Sequence, residues 1–154
     1  MKQKINKQVE SAFNKLLNAE LWSSGLHLVL QTYLENVDMP VLASWMNLQS
    51  RKKCEHFHKL SELLLREGGN VVIQSSGFDT PNWQTPLEAL NALLEHERYM
   101  MRIVGTFRKL SDPLCKKALL LYKDEMSMGE VFLELIHLLV RESKRRLPFD
   151  PSYN

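Results

Sequence analysis

The segment Gly68-Gly69-Asn70-Val71-Val72-Ile73-Gln74-Ser75-Ser76-Gly77-Phe78-Asp79-Thr80-Pro81-Asn82-Trp83-Gln84-Thr85-Pro86 (GGNVVIQSSGFDTPNWQTP) is the long interruption in a chain whose apolar residues otherwise recur with helical periodicity. Outside it, only Pro40, Pro113 and the terminal Pro148 and Pro151 punctuate the pattern. The spacing predicts helices over about 3–36, 41–67, 86–110 and 113–144. Short connections join the first helix to the second and the third to the fourth, so each pair should form an antiparallel hairpin. The middle connection, about 17 residues, reaches roughly 55 Å when extended at about 3.3 Å per residue. A helix of about 27 residues is only about 40 Å long. The connection can therefore carry the chain from one end of a bundle to the other, which is the exception to the rule that long structureless loops argue against a compact assignment. The fold class expected is all-α: a four-helix bundle over residues 1–146 with a long crossover between the second and third helices, then a short tail at 147–154. Within the crossover, Val71-Val72-Ile73 can pair as a short strand with a symmetry-related copy.

Composition narrows the function classes. A chain of 154 residues, 44% hydrophobic and 25% charged, is large enough for one core without disulfides. Its start, MKQKINKQVE, is polar, and Cys54 and Cys115 both fall in helical patterns, so a reduced, cytoplasmic protein is expected. No apolar run is long enough to span a membrane. The net charge of +2 gives no reason to expect nucleic acid, and Lys144-Arg145-Arg146 reads as a solvated helix end that complements the helix dipole.

Stepping by threes and fours gives the core stripes. The first helix reads Phe13, Leu17, Glu20, Ser24, His27; the second Leu42, Met46, Gln49, Lys53, His56, Leu60, Leu63. The third reads Leu87, Leu90, Leu94, Glu97, Met101, Val104; the fourth Leu119, Tyr122, Met126, Leu133, Ile136. Three stripes are interrupted near mid-helix by ionisable groups, and the midpoints of packed antiparallel helices lie at one level. Glu20, Lys53, His56 and Glu97 should therefore converge. Charges in a core layer cost several kcal/mol each unless paired or metal-bound. A carboxylate three residues before a histidine is the motif by which bundles build di-iron sites, but here a lysine, Lys53, precedes His56.

The segments NAELWSSGLHL, LASWMNLQSRKKCEHF, WQTPLEALNALLEHERYM and LYKDEMSMGEVF resemble, in unbroken order from about residue 5 to 140, the four helices of bacterial non-haem ferritins. TPLE and EHER are the most specific parts, and they resemble that branch rather than haem-binding bacterioferritins or mini-ferritins. The resemblance implies a ferritin-like four-helix bundle acting in iron storage, with no haem. It further implies that Glu20 and His56 match ligands of the first iron site and Glu97 a ligand of the second. The bridging glutamate falls on Lys53, the fourth-helix glutamine on Met126, the glutamates after it on Met128 and Gly129, and the tyrosine two turns after the first glutamate on His27. Hard iron wants oxygen ligands, whereas an ammonium has three donors and no acceptor. The expectation is a degraded ferroxidase centre with little or no Fe(II) oxidation, in which Lys53 pairs with Glu20 and Glu97. The contrasting reading has Lys53 snorkelling to water and leaves Glu20, His56 and Glu97 to hold iron weakly or as a mononuclear ion. A third is a non-catalytic helical scaffold or regulatory protein.

Two prolines in RRLPFDPSYN leave no room for the fifth helix that closes ferritin cages. A homo-oligomer is expected, either a dimer or a modified cage, or a hetero-assembly with active ferritin chains. His58, His96 and His137 lie off the stripes and read as surface or edge residues; His27 reads as a core hydrogen-bonding group or as an extension of a weak metal site. Met126 and Met128 read as core filler, and Cys54 as an inert packed thiol.

Overall fold

A computed structural model describes residues 5–75, 81–123, 134, 136 and 137. Among them the chain is all-α: α1 (Lys7–Asn36), α2 (Pro40–Arg66), α3 (Pro86–Arg108) and α4 (Pro113–Leu119), the last running into a 3-10 turn at Leu120–Tyr122. Each start has a local cause. The Asn6 side chain accepts from the amides of Gln8 and Val9, which starts α1 four residues later than the periodicity alone predicts. Thr85 caps Glu88 while the Glu88 carboxylate accepts from the Gln84 amide at 2.7 Å, a reciprocal arrangement close to a capping box. Asp112 caps Leu114, and Pro40, Pro86 and Pro113 each take a first-turn position where no amide is needed. The turn between α1 and α2 places Asp38 at φ 59, and the Met39 amide returns to the Leu34 carbonyl at 2.8 Å. At the end of α2, Gly68 has φ 82, a conformation that favours glycine, and a Cβ on Gly69 would press on the Leu64 side chain.

The apolar residues form two cores. One gathers Phe13, Leu16 and Leu17 of α1, Leu60 and Leu64 of α2, Met100, Ile103, Val104 and Phe107 of α3, and Cys115 and Tyr122. The other gathers Leu30 and Leu34 of α1, Ala43 and Met46 of α2, Ala89, Leu90, Leu93 and Leu94 of α3, and Ile136. This distribution fixes the directions: α2 and α3 run from the second core to the first and α1 the opposite way, while Cys115 and Tyr122 lie in the first core and Ile136 in the second. Each fully buried leucine is worth about 1.5–3 kcal/mol, and Phe13 meets Phe107 edge-to-face at 5.1 Å.

The parallel course of α2 and α3 requires the crossover, and its first part lies along α1. Asn14 Nδ2 donates to the Asn70 carbonyl at 2.9 Å and Asn14 Oδ1 accepts from the Val72 amide at 2.7 Å. Asn18 repeats the pattern with the Val72 carbonyl and the Gln74 amide, both at 2.8 Å. Glu10 takes the Asn70 amide and Trp22 donates to the Gln74 carbonyl. Four helical residues advance about 6.0 Å and two extended residues about 6.6 Å, so side chains at every fourth position of α1 act as a strand partner. Among the described residues no strand forms. The crossover ends where Trp83 stacks edge-to-face on Tyr33 at 5.5 Å, at the opposite end of α1.

Sequence and structure differ in detail. On α3 the expected core residue Met101 is 49% exposed and its neighbour Met100 is buried. His96, expected at the surface, is buried. Met126, Met128 and Gly129, most of the fourth helix, and the tail where no fifth helix was expected lie outside the described residues. No described helix is long and apolar enough to cross a membrane.

Candidate functional site

Between the two apolar cores lies a polar layer. It is contributed by Glu20, Ser23, Ser24 and His27 of α1, Ser50, Lys53 and His56 of α2, His96 and Glu97 of α3, and Tyr122. Ser24 and Ser50 set the α1–α2 crossing: each hydroxyl donates to the other residue's carbonyl, at 3.1 and 2.9 Å. Small side chains there let the helices approach, and the reciprocal bonds satisfy both hydroxyls.

The sequence-predicted residues do converge, but as two pairs. Glu20 is fully buried; its Oε1 accepts from the Tyr122 hydroxyl at 2.9 Å and its Oε2 stands 3.5 Å from His56 Nδ1. Glu97 is joined to His27, with Oε1 3.5 Å from the buried Nε2. The other ring nitrogen of His27 lies 2.7 Å from the Ser23 carbonyl. His96 is a member that the stripe pattern missed: its ring centroid is 6.2 Å from that of His27, and its Nε2 is buried without a hydrogen bond. The EHER motif was the available signal, since it places a second histidine next to Glu97. His58 and His137 are exposed, as expected, and His137 Nε2 lies 3.4 Å from Arg98. Tyr122 was read only as a core residue, yet it supplies the hydrogen bond to Glu20.

Lys53 is half-buried and acts on both pairs. Burial alone would raise the Glu20 carboxyl, but the Lys53 charge, His56 and Tyr122 together hold it below its usual range. Burial likewise works against Glu97 and is outweighed by the bond to His27 and by Lys53, so this carboxyl is also lowered. Burial pushes the His96 imidazole down to about 4, Glu97 opposing it and the charges of His27 and Lys53 adding to it. Away from the layer, burial and then Asp112 push the Cys115 thiol up to about 11, which makes it an inert core group.

These residues do not fit a bridged pair of irons. Lys53, which the resemblance matches to the bridging glutamate, is a cation with no acceptor, one oxygen of Glu20 is bonded to Tyr122, and Glu97 faces His27. Among the described residues no group of three or more His, Cys, Asp or Glu side chains is placed to hold a metal ion.

Among the described residues, α2 and α3 run parallel to each other and opposite to α1, the first part of the crossover lies along α1, and a carboxylate–imidazole layer separates the two apolar cores. The chain belongs to the ferritin-like family, whose domain model matches residues 10–112. Among its relatives are bacterial non-heme ferritins of Bacteroides fragilis strains 638R and YCH46, each 30% identical over 100 residues. The match covers 65% of this chain and 63% of the relative, so the chain spans less than two thirds of the length of the relatives it matches.

Proposed function

We propose that this protein is an iron-storage-family chain whose ferroxidase centre has been replaced by a metal-free polar layer, and that it contributes to iron homeostasis as part of an assembly rather than as an oxidase. The observation that carries this reading is a half-buried lysine, Lys53, in the layer that holds the Glu20 and Glu97 carboxylates, at the position the resemblance matches to the bridging glutamate: its ammonium supplies the positive charge that metal would otherwise supply. Ion pairing of this kind does little more than break even against an apolar layer, which accords with a retained framework more than with a newly built site. Iron remains the cargo of the assembly, as substrate for mineral growth or for active partner chains. The two cysteines are unbridged, in keeping with a cytoplasmic setting.

The assembly is a dimer, or a cage built from dimers, through α1, α2 and the crossover. Residues 70, 72 and 74 spend their backbone groups on α1, so those of Val71 and Ile73 face away in the alternation of an extended chain. With Val72 52% and Ile73 54% exposed, this is an edge prepared for a second copy.

The test is aerobic addition of Fe(II) to the purified chain. Oxidation is expected to proceed no faster than in buffer, and rapid, saturable oxygen consumption at two irons per chain would overturn the reading. Light scattering on the same sample distinguishes the dimer from the cage.

A further inference from the structure

We propose that two copies of this chain pair through the outer face of α1 and α2, their α1 helices antiparallel about a twofold axis and closest at Gly25, so that the crossover of each copy lies over the second half of the other copy's α1. The proposal rests on the preceding reading for the use of α1, α2 and the crossover in assembly, and adds the residue at which the copies meet and their relative orientation.

The face is marked by its lack of charge. The chain is 25% charged, yet residues 21–34 and 39–50 contain no Asp, Glu, Lys or Arg. Gly25, Leu28, Val29 and Thr32 of α1 and Val41 and Leu48 of α2 are nevertheless exposed, Leu28 at 48% and Val41 at 83%. A solvated helix face carries charges, whereas the buried centre of an interface is depleted of them. Charge returns at the borders, with Glu35 and Asp38 at the end of α1 and Arg51 on α2, as at the polar rim of an interface.

Gly25 has no structural cause within its own chain. A glycine inside a helix is destabilising relative to alanine, its backbone here is ordinary α-helix, and a Cβ would meet nothing within 4 Å. Close approach of another backbone is the remaining physical use of the missing side chain. Asn14, Asn18, Leu21, Gly25, Leu28 and Thr32 alternate by fours and threes, so they share one side of α1. The first half of that stripe, at Asn14 and Asn18, carries the chain's own crossover, which presents Val72 and Ile73 to the outside. The second half is exposed at Gly25, Leu28 and Thr32. Asn18 and Thr32 are each seven residues from Gly25. Antiparallel helices crossing at Gly25 therefore set the crossover of one copy at the level of the other copy's Leu28 and Thr32. One twofold operation covers both apolar patches of both copies, which makes the occupant a second copy rather than an unrelated chain.

Sedimentation equilibrium of the full chain tests the pairing. The unaltered chain is expected to self-associate. Gly25→Leu is expected to associate about 100-fold or more weaker, because overpacking at a twofold axis is met by both copies. Gly25→Ala favours the helix and meets nothing in its own chain, so it folds, and it is expected to associate about 10-fold weaker. Thr106→Leu, on the exposed side of α3, is expected to leave association unchanged. The pairing is overturned if the unaltered chain is monomeric at every concentration tested, if the Gly25 variants associate as tightly as it does, or if Thr106→Leu weakens association as much as Gly25→Leu. Association weakened by Ile73→Lys but not by Gly25→Leu would also overturn it, while leaving assembly through the crossover edge in place. Failure of the disarmed-centre reading is seen separately, as rapid Fe(II) oxidation.

Discussion

The hydroxyl of Tyr122 donates a 2.9 Å hydrogen bond to Oε1 of Glu20, joining the turn after α4 to the centre of α1 across the buried layer. It is a charge-assisted bond to a fully buried carboxylate. Tyr122→Phe should therefore destabilise the protein by about 1.5–3 kcal/mol, measured by urea unfolding, because the ring packing survives while a buried charge loses a donor. An effect below about 0.5 kcal/mol would mean that Glu20 is satisfied elsewhere.

Lys53 is the cation of the layer. Lys53→Glu removes it and adds a third carboxylate, so the metal-free variant should be less stable. Because Lys53 is only half-buried, the expected loss is about 1–3 kcal/mol, short of the about 3–5 kcal/mol for breaking a fully buried pair. Zn(II) or Fe(II) should recover much of that loss by binding only the folded state. Lys53→Met should be destabilising with less recovery, since it adds no ligand. Thermal unfolding with and without metal reads both effects.

Acid should weaken the fold in two stages, in metal-free protein. His96 has its proton affinity lowered from the ordinary 6.5 to about 4, so between those values the unfolded chain binds more protons and stability falls as pH falls. A tenfold difference in proton affinity is worth about 1.4 kcal/mol, which sets an upper limit of about 3 kcal/mol for this stage. Glu20 and Glu97 are lowered below their ordinary 4.5; their contribution is present above that value and disappears as pH falls through the folded values. His96→Gln should flatten the unfolding free energy between pH 6.5 and 4 and leave the steeper loss below 4.5.

Asn18 is 1% exposed and bonds the crossover through both side-chain atoms. Asn18→Ala should cost about 1–3 kcal/mol, because the Val72 carbonyl and Gln74 amide lose their partners. Hydrogen exchange at the Gln74 amide should accelerate, and self-association, followed by sedimentation, should weaken in step if the crossover edge joins two copies.

The amino-acid sequence by itself determined the helices, the crossover and the convergence of Glu20, Lys53, His56 and Glu97. Those follow from apolar periodicity, from proline and glycine placement, and from the common level of helix midpoints, all of which are properties of one dimension. The pairing within the layer was decided by tertiary structure. On α3 two stripes run one residue apart, Leu90-Leu94-Glu97-Met101-Val104 and Leu93-His96-Met100-Ile103-Phe107, and both carry core residues. A rotation of the helix about its axis exposes Met101, buries Met100 and His96, and turns Glu97 to His27 rather than to Glu20. Neighbouring residues on a helix differ by about 100° in direction, so a modest rotation set by packing against α1 exchanges one for the other, and periodicity carries no record of it. The same holds for Asn14 and Asn18: their spacing is visible in the sequence, but the chain segment they hold is more than fifty residues away and reaches them only because the bundle brings it back.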